Sequence, residues 1–122
     1  MLIGANIAPI LIVTGAITAV PVLQFIFPRP VLRLLSGVTL DDDAGLFFAR
    51  HWGLVTLSIG ALLIYAATNA AARPAIVLAI LVEKLGYAGL VFANWNRFPK
   101  MRGSGLFDAA CCLVYAAYLL GA

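Results

Sequence analysis

The chain has 122 residues, 64% of them hydrophobic and 11% charged, with a formal net charge of +3 and a mean hydropathy of +1.06. A soluble domain is about 45–50% apolar and about 25% charged, so the composition excludes a water-soluble globular domain and also a disordered chain. The basic residues lie in the short connections between apolar segments, where they act as topology signals and give no indication of nucleic-acid binding.

A membrane helix needs about 20 mostly apolar residues to cross about 30 Å of hydrocarbon. Four stretches meet that length or come close, at about 2–27, 44–67, 75–96 and 104–121. The first lacks a basic leader and is longer than the apolar part of a signal peptide, so it is expected to be retained. Its Pro9 and Pro21 remove backbone donors and bend it, while Thr14 and Thr18 can satisfy carbonyls locally. Residues 30–36 follow as an apolar stretch carrying Arg33, just after Arg29, a pattern suited to a short interfacial helix. Asp41, Asp42 and Asp43 then stand where carboxylates cap the next helix. Cys111 and Cys112 are adjacent within the last apolar stretch, point in different directions on a helix and are read as small packing residues. Short connections make consecutive helices antiparallel neighbours. The expectation is an all-α integral membrane protein, a four-helix antiparallel transmembrane bundle forming one domain over 1–122.

Lys and Arg in short loops mark the cytoplasmic side. Arg29, Arg33, Arg97, Lys100 and Arg102 fall on one side, and Arg73 with the N-terminal amine on the other. This predicts an inner-membrane protein of a bacterium with loops 28–43 and 97–103 cytoplasmic and both termini outside.

Five ionisable residues fall inside the predicted spans: Arg50 and His51 in the second, Glu83 and Lys84 in the third, and Asp108 in the fourth. A charge at mid-bilayer costs at least about 2.5–3.5 kcal/mol on insertion scales, so such groups face the bundle interior and pair, or line a wet cavity. All five belong to the middle and cytoplasmic half. Glu83, Tyr87 and Asn94 share one face of the third helix, and Asp108, Cys111, Cys112, Tyr115 and Tyr118 make a stripe on the fourth. Arg50, Gly53, Leu57 and Gly60 or Ala61 share a face of the second, and these three faces are expected to meet. Lys84 stands one helical step from Glu83 and need not join the cluster; facing a second pocket wall, titrating at a lowered pH or being covered by a subunit interface are open alternatives.

Three readings of the cluster stand side by side. Arg50, Glu83 and Asp108 form a buried salt-bridge network that fixes helix register. Alternatively, a polar pocket closed by Trp52, Tyr87, Tyr115 and Tyr118 holds a small amphipathic molecule such as a lipid, quinone or isoprenoid. The third is a proton or ion path through Glu83 and His51. Metal binding is disfavoured by the single histidine, and no phosphate loop or nucleophile elbow is present.

The segment 30–37 (PVLRLLSG), followed by Phe48-Ala49-Arg50-His51-Trp52-Gly53 and by 60–66 (GALLIYA), resembles the small four-helix bacterial membrane proteins grouped as DoxX-like. The match covers residues 28–67. Residues 50–58 are also faintly similar to a segment of the eukaryotic ergosterol-biosynthesis scaffold family. Both resemblances imply a four-helix bundle and neither supplies an activity.

The function read from the sequence is therefore a non-catalytic accessory, scaffold or lipophilic-ligand-binding protein without a cofactor. It would work in the lipid bilayer, as a homo-oligomer or beside a membrane partner protein. The alternatives are an oligomeric transporter subunit and a small membrane enzyme acting on a lipid or quinone-like substrate. In the enzyme, Glu83 and His51 would serve as acid and base, and Tyr87 or Tyr115 would orient the ligand.

Overall fold

A computed structural model describes residues 2–122, all of them in helices, turns and connecting loops. The first apolar stretch is segmented. It comprises α1 (Leu2–Ala5), α2 (Ile7–Ala19), a 3-10 turn (Val20–Val22) and α3 (Leu23–Ile26). Pro9 lies in the first turn of α2, where its missing N–H has no intrahelical partner to lose. Pro21 sits in the 3-10 turn, which absorbs the bend. Thr14 and Thr18 donate to the carbonyls of Ile10 (2.8 Å) and Thr14 (2.7 Å) respectively.

The short helix expected at 30–36 is α4 (Pro28–Ser36), which starts earlier because Pro28 has the backbone angle of a first helical residue. It stops at Gly37, whose φ of 70° is the left-handed conformation that glycine adopts without strain. The long helix α5 (Asp43–Thr68) is capped by Asp42, whose carboxylate accepts from the Gly45 N–H at 2.8 Å. At its far end Arg73 donates to the carbonyls of Ala66 (2.8 Å) and Ala67 (3.0 Å), a cation satisfying the orphan acceptors of a helix C-terminus.

The next helix, α6 (Arg73–Ala93), ends three residues short of the expected 96. Asn94 leaves helical geometry there, its side chain donates to Leu90 O at 2.8 Å, and its carbonyl accepts from Arg97 and Phe98, so Asn94 to Arg97 form a turn. A 3-10 turn (Pro99–Met101) leads into α7 (Arg102–Leu119).

Packing is pairwise and antiparallel. The α2–α3 segment lies along α5 with backbones nearly touching: a Cβ on Gly15 would come within 2.7 Å of the Gly60 carbonyl. Helices α6 and α7 form the second pair, where a Cβ on Gly105 would strike Val91. Between the pairs, contact is tight at the end near residues 69–72, where Leu11, Leu63, Val77, Ile80 and Tyr115 make a closed apolar core. The opposite end is looser and polar.

Among the described residues, three helical segments are long and apolar enough to cross a membrane: Ile7–Ile26, Asp43–Thr68 and Arg73–Ala93. The fourth expected span, α7, has 18 residues but opens on Arg102-Gly103-Ser104-Gly105, with Asp108 one turn further on, so it falls short of that apolarity. The outward faces are apolar: Phe47, Val82, Leu90 and Leu113 all have more than 60% of their surface exposed.

Candidate functional site

Lys84 is the centre of the polar end. It is 1% exposed, although it stands at the middle of α6. Its ammonium donates to Asp108 Oδ1 of α7 at 2.9 Å and to Thr18 Oγ1 of α2 at 3.0 Å, and it lies 5.1 Å from the Phe107 ring centroid. One cation thus ties three helices together. The register follows from antiparallel packing, because the same pair of helices also joins Tyr87 to Ser104 at 2.7 Å.

Beside this pair a cavity of about 420 Å³ runs from Glu83 and Lys84 to Ser36 and Lys100. The volume is in the range of small-molecule sites. Its walls are Ile17, Val20, Pro21 and Gln24 from the first segment, Trp52 and Thr56 from α5, Glu83 and Tyr87 from α6, and Ser104, Phe107 and Asp108 from α7. Trp52 and Tyr87 face each other with ring centroids 6.4 Å apart and planes tilted by 33°. Gln24, 3% exposed, donates to the carbonyl of Ala49 at 3.2 Å and so closes one side. Glu83 Oε2 is enclosed and has no hydrogen-bond partner among the described residues, and an orphaned carboxylate oxygen is costly in an enclosed site.

The expected network of Arg50, Glu83 and Asp108 does not form. Arg50 is exposed and lines a separate cavity of about 540 Å³ with His51, Asp43 and Phe47. The buried stripe of α5 is Ala49, Gly53, Thr56, Gly60 and Leu63. Arg50 is one helical step, about 100°, from Ala49 and lies on the flank of that stripe. Lys84 takes the role assigned to Arg50 as the partner of Asp108. His51 is likewise exposed and on the other cavity, so Glu83 and His51 do not share a site.

Of the residues expected on the polar faces, Glu83, Lys84, Tyr87 and Asp108 come together at the cavity with Trp52. Asn94 does not, being occupied in the turn after α6. Tyr115 and Tyr118 do not close the cavity either. Tyr115 is fully buried in the apolar core and reaches Thr14 at 2.5 Å, and Tyr118 packs against that core. Since the Thr14 hydroxyl already donates to Ile10 O, Tyr115 is the donor of this pair. Cys111 and Cys112 are buried free thiols.

The sequence reading missed Thr18, Gln24, Thr56, Ser104 and Lys100. A signal existed for the first three, which are isolated polar residues on otherwise apolar spans and have to turn inward. Among the described residues no group of three or more His, Cys, Asp or Glu side chains could hold a metal ion. No protein-family model, curated protein or solved structure matches this chain.

Proposed function

We propose that the chain is an integral membrane protein whose helical segments form one four-helix antiparallel bundle, and that it binds a small amphipathic, lipid- or quinone-like molecule in the cavity beside Lys84 without catalysing its conversion. The observation carrying this reading is the cavity itself: apolar walls and aromatic rings around a few convergent polar groups, one of them the orphaned Glu83 carboxylate. A purely structural ion pair would need Lys84 and Asp108 alone, without a cavity of this volume beside them.

The membrane reading draws support from the three long apolar segments and the apolar outward faces. Burial of Lys84 and Asp108 in the interior is what hydrocarbon surroundings demand of charges at mid-span. The lysine- and arginine-rich loops 28–43 and 97–103 lie against each other, with Lys100 beside Gly37, which suits a common cytoplasmic face in a bacterial inner membrane. A DoxX-like relationship fits this arrangement. The enzyme alternative is weakened because His51 and Glu83 open on different cavities.

Native mass spectrometry of protein released from mild detergent tests the binding reading. A co-purifying small-molecule mass is expected in the wild type and lost in Thr56→Leu, which fills the cavity without touching the ion pair. A bare protein mass in both overturns it.

A further inference from the structure

Several hydroxyl oxygens on the cavity wall are left to accept. Thr56 spends its hydroxyl hydrogen on Gly53 O at 2.9 Å, and Thr18 spends its own on Thr14 O while accepting from Lys84. Ser104 donates to Met101 O at 2.9 Å, so in its contact with Tyr87 the hydrogen is the phenol's, and the tyrosine oxygen is left to accept. The Lys84 ammonium is surrounded by Asp108, Thr18 and the Phe107 ring. The inner end therefore presents oxygen lone pairs, and the orphaned Glu83 oxygen is one of them.

Charge points the same way. Two carboxylates, Glu83 and Asp108, stand at the inner end against one cation, Lys84, while Lys100 lies exposed at the mouth, where water and salt screen it. An ionised Glu83 is a negative charge beyond the one that Lys84 offsets at Asp108. An alcohol would satisfy an oxygen and leave that charge, an anion would add to it, and a cation with N–H groups answers both. Trp52 and Tyr87 line the same cavity as Glu83, and aromatic rings attract a cation.

We propose that the cavity selects a protonated amine carried on an apolar body, with its ammonium hydrogen-bonded to Glu83 and lying against the Trp52 and Tyr87 rings. This rests on the cavity being a ligand site and assigns the head group that site accepts. Apolar Ile17, Val20 and Pro21 also line the cavity and suit the body of such a molecule.

The test uses Trp52 as reporter. The chain has two tryptophans, and Trp95→Phe removes the one outside the cavity. The variant is placed in nanodiscs of zwitterionic phosphatidylcholine and titrated with dodecylamine, dodecanol and dodecanoate, with empty nanodiscs correcting for partition. The expected result is a saturable change of Trp52 emission with dodecylamine at a Kd at least about tenfold below that for dodecanol, and none with dodecanoate. Adding Glu83→Gln should weaken the amine by roughly thirtyfold and leave the alcohol unchanged. Equal or tighter binding of dodecanol or dodecanoate, or amine binding indifferent to Glu83→Gln, overturns the head-group assignment and leaves the ligand site standing. No saturable response to any of the three overturns both.

Discussion

Lys84 and Asp108 meet at 2.9 Å across α6 and α7, with side chains 1% and 10% exposed, and that contact decides which residues of the polar end are structural. Removing one partner from a buried pair leaves an uncompensated charge, which is destabilising by about 3–5 kcal/mol, whereas replacing both with apolar groups is often neutral. Asp108→Asn and Lys84→Met should each lower the thermal unfolding midpoint in detergent, and the double variant Lys84→Met/Asp108→Leu should recover most of the loss. Arg50→Ala, in an exposed side chain without a partner carboxylate among the described residues, should change stability by no more than about 0.5 kcal/mol.

The glycines separate into two kinds. Gly15 and Gly60 hold α2 and α5 at backbone contact, and even one methyl group at either would strike the other's carbonyl. Gly15→Ala should therefore destabilise by about 1–3 kcal/mol, as overpacking does. Gly86, with nothing within 4 Å of a built Cβ, should accept alanine with stability unchanged or raised, since alanine is the better helix former. Equilibrium unfolding of the two variants side by side checks the contrast.

Arg73 closes the last turn of α5 from outside it. Arg73→Ala should cost about 1–2 kcal/mol and should speed amide hydrogen exchange selectively in residues 64–72. Uniform acceleration across the chain would count against a local capping role.

Tyr115 links α7 to α2 through one hydrogen bond in an otherwise apolar core. Tyr115→Phe removes the donor and leaves the Thr14 oxygen still bonded through its own hydrogen, so the loss should be about 0.5–1.5 kcal/mol. In a double-mutant cycle with Thr14→Val the two changes should couple rather than add.

The all-helical class, three long apolar segments and the inward turn of Glu83 and Asp108 could be read from apolar periodicity and proline and aspartate signals, because these depend on local chemistry. The choice between Arg50 and Lys84 as partner of Asp108 could not. It depends on rotation of α5 by about one residue, set by Gly53 and Gly60 packing against the first segment, and the sequence pattern leaves Ala49 and Arg50 equally able to lead the buried stripe. Tyr115 illustrates a similar limit. Its place in the stripe with Asp108 is right, but nearly two turns along α7 carry it out of the polar end into the apolar core.

The two members of the ion pair sit on consecutive helices joined by a short turn, and this bears on biogenesis. On the proposed membrane reading, the α6–α7 hairpin would enter with its lysine and aspartate already bonded to each other, so neither helix would carry a bare charge across before its neighbour arrived. The first hairpin, held by glycine contacts and with no buried charge among its described residues, would insert independently. Assembly then reduces to the docking of two electrically separate halves. Thr18, reaching from the first half to the Lys84 ammonium, registers that docking as complete.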